Sequence, residues 1–119
     1  MKKVFLIFLI YASTSSCIQN SKIPEGLLSD EEMVKMLIEI HLLESNISLL
    51  RVNQDSSQVL YNSFEKILFE EKGVDYDQYL KTYKYYLEDV SHMERIYEIV
   101  VDSLNLREKS FSSPQNPKK

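Results

Sequence analysis

An all-α domain, a small bundle of about four helices, is the fold this sequence predicts, and three observations predict it. The chain has only two glycines and three prolines in 119 residues, so the turn signals that separate strands are scarce. Ser29, Asp55, Asp75 and Ser91 are each followed three residues later by Glu or Gln, the spacing of a helix capping box. Behind each of the four, apolar residues recur at intervals of three and four, which places them on one helical face.

The first seventeen residues carry an address rather than a fold. Lys2 and Lys3 precede the apolar run Val4 to Ala12, and Ser13-Thr14-Ser15-Ser16 supplies small residues before Cys17, the layout of a secretory signal. The run is far shorter than the roughly 20 residues a membrane-spanning helix needs. Cys17 is the only cysteine, so no internal disulfide explains it. A lone cysteine after small residues resembles the lipobox of bacterial lipoproteins, although Thr14 stands where leucine is favoured. That resemblance implies that residues 1–16 are a cleaved signal peptide and that Cys17 is acylated. At about 0.8 kcal/mol per buried methylene, two or three acyl chains make a durable membrane anchor. The competing reading is an ordinary cleaved signal with a free cysteine nearby.

Removing the leader leaves 103 of the 119 residues, and losing Lys2 and Lys3 leaves 12 of 14 basic side chains against 18 acidic ones, a formal charge of −6. Such a chain has no basic stripe for a phosphate backbone, so nucleic acid is excluded as the expected partner. Residues 17–28 read as a lipidated tether, polar and broken by Pro24 and Gly26. Ile18-Gln19-Asn20-Ser21-Lys22 lacks the acidic residues that tag some bacterial lipoproteins for surface export. By that resemblance the expected location is the outer membrane, facing the periplasm.

The helical domain is expected over residues 29–106. Ser29 with Glu32 starts the first helix, and Asp30, Glu31 and Glu32 suit the positive end of its dipole. Met33, Met36, Leu37, Ile40, Leu43, Ile47 and Leu50 share its inner face to about Arg51 or Val52. Asp55 with Gln58 opens the second helix, whose inner face is Leu60, Tyr61, Phe64, Ile67 and Leu68, and Gly73 closes it in the left-handed conformation. Asp75 with Gln78 opens the third, with Tyr79, Leu80, Tyr83, Tyr86 and Leu87 inward. Ser91 with Glu94 opens the fourth, with Met93, Ile96, Tyr97, Val100, Val101 and Leu104 inward. Residues 107–119 lose this period, gain serine and proline, and read as a disordered tail. A domain this small buries only about 60% of its unfolded surface, so dimerisation or a protein partner would add to its stability.

Several short stretches together resemble a family of small Bacteroidota lipoproteins, domain of unknown function 4296. They are Pro24-Glu25-Gly26-Leu27-Leu28, Glu39-Ile40-His41-Leu42-Leu43-Glu44, Tyr61, Lys72-Gly73-Val74, Tyr79, Tyr85-Tyr86, and Tyr97 with Val100. The resemblance covers most of residues 23–106 and implies location and fold; the family name carries no activity.

The residues that merit attention for chemistry are His41, Glu44, Tyr83, Tyr86 and Tyr97. On a helical wheel Glu44 falls inside the apolar stripe of the first helix, and His41 lies one turn back on its flank. A carboxylate aimed at a core needs a partner. The structural reading is a buried polar cluster, completed by tyrosine hydroxyls, that fixes helix register. In the functional reading His41 and Glu44 belong to a ligand or metal site, since His and Glu three residues apart can face one metal in a bundle. A dinuclear site would need more carboxylates and a second histidine-bearing helix, whereas His92 lies at a helix start. Tyr85 points away from the stripe, and with Tyr76 it is a candidate contact surface.

The sequence has no HExxH, CxxC, glycine-rich phosphate loop or nucleophile elbow. The expectation is a non-enzymatic lipoprotein, anchored to the membrane through Cys17, without cofactor or bound metal. It would act as an accessory or binding module for an envelope protein. The alternative is a metal- or small-ligand-binding protein, possibly an enzyme, centred on His41 and Glu44. The oligomeric state is left open.

Overall fold

The computed structural model describes residues 23–112, which form four helices. The leader, Cys17 and residues 113–119 lie outside the described residues. The helices are α1 (Asp30–Leu49), α2 (Gln54–Lys72), α3 (Tyr76–Glu88) and α4 (Val90–Ser112). No strand occurs among the described residues, and no helix there is long and apolar enough to cross a membrane.

The start of α1 is the expected capping box. Ser29 Oγ accepts from the Glu32 amide at 3.3 Å, and Glu32 Oε2 accepts from the Ser29 amide at 2.8 Å. These bonds from Ser29, backbone first, hold the Glu32 carboxyl below its usual range. The helix stops at Leu49, two or three residues short of the expected end, because Arg51 turns the chain at a φ of +51°. Leu50, expected inward, is therefore exposed.

Two helices begin elsewhere than expected. The cap of α2 is Asn53, whose Oδ1 accepts from the Ser56 amide at 2.8 Å; Asp55 sits in the first turn instead. The cap of α4 is Asp89, whose Oδ1 accepts from the His92 amide at 3.1 Å, so α4 starts ahead of Ser91. In each case an Asx side chain two residues upstream supplies the same chemistry as the expected cap. At α3 the expected cap holds, with Asp75 Oδ1 accepting from the Gln78 amide at 2.9 Å. Gly73 ends α2 at a φ of +64°, and the Val74 amide donates back to the Phe69 carbonyl at 3.1 Å, closing a Schellman turn. Helix α4 continues past Leu106 to Ser112, so residues 107–112 are helical rather than part of a tail.

Helix α1 is the centre of the packing. It contacts all three other helices, and α3 and α4 pack on each other. Its side chains Met33, Met36, Leu37 and Ile40 meet Phe69 of α2, Tyr79 and Tyr86 of α3, and Met93, Ile96 and Val100 of α4, with Leu28 sealing the end. Helix α2 is the least committed. Phe69 is its one fully buried residue, while Phe64 and Ile67, expected inward, are 46% and 47% exposed. The helix is turned so that Phe69 meets the edges of Tyr79 and Tyr76, at ring distances of 5.3 and 5.2 Å. Leu87 and Val101 were also expected inward and are exposed, because the contact line of α3 runs through Tyr79, Thr82 and Tyr86 and that of α4 through Met93, Ile96 and Val100.

Gly73→Ala tests the α2 stop in isolation. A methyl group there would meet nothing within 4 Å, so the cost is backbone conformation alone. Urea unfolding should show a loss of about 1 kcal/mol, with Gly73→Asn losing less.

Candidate functional site

The five residues singled out from the sequence separate into two places. His41, Glu44, Tyr83 and Tyr97 lie together along one strip. His41 Nδ1 stands 3.1 Å from Glu44 Oε2, and the His41 and Tyr97 rings lie 6.1 Å apart at 58°. Tyr97 Oη and Tyr83 Oη face each other at 3.5 Å across α4 and α3. The expected burial of this group is not observed. The Glu44 side chain is 52% exposed and that of His41 is 36% exposed. The helix is still covered at this level, since Ile47, one turn further on, is buried; the covered face there runs through Ile40 and Ile47, and Glu44 lies on its open flank.

The strip is polar and aromatic together. Tyr97 is half-buried, and burial first, then the hydrogen bond with Tyr83, raises its phenol to about 12. Across from Glu44 on α2, burial first and then the charge of Glu65 push the Tyr61 phenol up to about 12, with Tyr61 Oη donating to Glu65 Oε1 at 3.2 Å. These phenols stay protonated near neutral pH and serve as hydrogen-bond donors and acceptors. Among the described residues no group of three or more His, Cys, Asp and Glu is placed to hold a metal ion, so His41 and Glu44 stand as a pair.

Tyr86 belongs to the second place, at the start of α1. It is fully buried, and its hydroxyl donates to the Leu28 carbonyl and to Asp30 Oδ1, both at 2.9 Å. Burial first and then Asp30 raise its phenol well above the ordinary tyrosine value. His92, passed over in the sequence as a residue at a helix start, is 7% exposed; its Nε2–H reaches both Asp30 oxygens, at 2.9 and 3.0 Å. Its ring lies 4.7 Å from that of Tyr86. Thr82, also passed over, is completely buried and accepts from the Leu28 amide at 2.9 Å while donating to the Gln78 carbonyl at 2.7 Å. The buried polar groups expected around Glu44 therefore occur around Leu28 instead, where Tyr86, Thr82 and His92 are buried and the Asp30 carboxylate that joins them is itself 52% exposed. Both backbone groups of Leu28 are satisfied there, fastening the segment before α1 onto α3. A threonine within the inward stripe of α3 and a histidine on the first turn of α4 were the available signals. Neither shows in sequence which residue it meets.

Tyr76 and Tyr85, expected as a contact surface, are both exposed, at 46% and 37%; each also meets a ring, Tyr76 edge-on to Phe69 and Tyr85 tilted against Tyr86 at 5.7 Å.

A family model, "Domain of unknown function (DUF4296)", matches residues 24–110. The chain belongs to this family. The match begins just before the Leu28 clasp and ends within the last turn of α4, so a DUF4296 domain includes the whole bundle and both polar clusters. No curated protein and no solved structure matches the chain.

Two measurements follow from these clusters. Tyr86→Phe and Thr82→Val each strand a buried backbone group of Leu28 and should each cost about 1–3 kcal/mol in urea unfolding. In alkali, a phenol whose value is raised by folding favours the folded state while protonated. Stability should therefore be full below about pH 10 and fall as pH rises toward about 12, where Tyr61 and Tyr97 ionise. Absorbance at the tyrosinate band, followed beside circular dichroism, checks this.

Proposed function

We propose that this DUF4296 protein is a non-enzymatic binding module of the bacterial cell envelope. Cys17 acylation would hold it at the periplasmic face of the outer membrane, and the His41, Glu44, Tyr83 and Tyr97 strip would contact an envelope protein. The observation that carries the reading is the position of His41 and Glu44, paired at 3.1 Å on open surface beside a half-buried tyrosine pair. Polar groups this far exposed contribute little to stability. Aromatic rings with polar tips are the side chains that anchor protein interfaces, since they bury large area while keeping a hydrogen bond. The sequence supports the address through the signal layout and the lone cysteine.

The two parts of this reading are tested separately. Cys17→Ser should move the protein out of the membrane fraction and abolish acyl labelling; unchanged fractionation and labelling would refute the anchor. Capture from solubilised membranes with the tethered protein should yield a partner that His41→Ala and Tyr97→Ala both lose while circular dichroism is unchanged. Retention by both variants would remove the strip from the interface. Stoichiometric metal on the purified protein, lost in His41→Ala, would instead make the pair a ligand set.

A further inference from the structure

The corner between α2 and α3 holds a separate hollow of about 500 Å³, within the roughly 300–1,000 Å³ range of small-ligand sites. Its floor is Phe69 and Val74, and Tyr76 stands at its side, 46% exposed and edge-on to Phe69 at 74°. Glu65, Glu70 and Asp75 line it against one cation, Lys66, so its border carries net negative charge. Gly73 lines it as well, and a methyl group there would have no neighbour within 4 Å.

We infer that this hollow receives a lysine or arginine side chain borne on a segment of a protein partner. Long cationic side chains lay an apolar stem on apolar surface and keep the charged head at its edge. Phe69 and Val74 provide the first surface, and Glu65, Glu70 and Asp75 provide the charge for the second. The exposed ring of Tyr76 adds a cation–π face. A free metal ion does not match an apolar floor. The amine of a lipid headgroup brings a phosphate that the carboxylates repel. His41, Glu44, Tyr83 and Tyr97 do not line this hollow, so the two contacts use different residues.

Gly73 and Gly26 are the only glycines, which gives the hollow its own amide signal. Tetralysine is titrated into the isotope-labelled full-length chain in detergent micelles and followed by proton–nitrogen correlation spectra. The Gly73 amide should shift saturably while the Gly26 amide stays in place, and binding should weaken as salt is raised. Glu70→Gln should weaken it at least fivefold with the rest of the spectrum unchanged, and Tyr76→Ala should do the same. Glu94→Gln, the same charge change on α4, should leave it unaltered. A stationary Gly73 signal overturns the inference, as does equal weakening by Glu70→Gln and Glu94→Gln. A Gly73 shift with phosphatidylethanolamine bicelles but not with tetralysine also overturns it, naming a lipid headgroup instead. Capture through His41 and Tyr97 uses other residues, so failure here and failure of the interface strip are told apart.

Discussion

Burial of one helix from three sides is the constraint on which this domain depends. Four helices of 20, 19, 13 and 23 residues supply enough apolar surface for a single core, and α1 is the element that every other helix touches. Seven of its residues are buried, whereas α2 commits one. A bundle so arranged has a well-packed side, where α3 and α4 pair on α1, and a lightly held side, where α2 leans on it.

The polar chemistry divides along the length of α1 instead, between its start and the His41–Glu44 turn. On the well-packed side Asp30, Tyr86, His92 and Thr82 form a satisfied cluster around Leu28, and no buried side-chain donor or acceptor among the described residues lacks a partner. Such a cluster ties the start of α1 to α3 and α4, because each bond is worth most where water is excluded. Further along α1, on the flank of its covered face, His41 and Glu44 reach solvent, and so does Tyr76 at the start of α3. Surface ion pairs contribute little there: Lys72 and Arg107 share Glu39 Oε1 at 3.6 and 3.7 Å, linking the ends of α2 and α4 to α1 at the domain's edge. This exposed polar chemistry, where His41 and Glu44 of α1 meet Tyr97 of α4 and Tyr83 of α3, lies outside the buried core.

Exposed Phe64 and Ile67 on α2, with Leu106 and Phe111 on α4, show how much apolar surface a domain of this size leaves uncovered. The last two turns of α4 are exposed, with Arg107 still reaching Glu39 of α1. Helical propensity and the local hydrogen-bond ladder are enough to continue the rod where packing has stopped.

The sequence by itself determined the class, the four helices and the inner stripe of α1, since capping chemistry and a 3.6-residue period are local properties. Gly73 and the Ser29 box were readable because a single residue type satisfies a single backbone need. Family membership was readable for the same reason, from short stretches along residues 24–110. Only the tertiary structure decided which flank of α2 meets the core and that Glu44 stays in water while Tyr86 leaves its neighbours to join His92. Asp30 and His92 are 62 residues apart, and Leu28 and Thr82 are 54 apart. A periodic pattern fixes the face a side chain occupies but not which part of that face a neighbouring helix covers, and that cover is what separates buried Tyr86 and Thr82 from exposed Glu44.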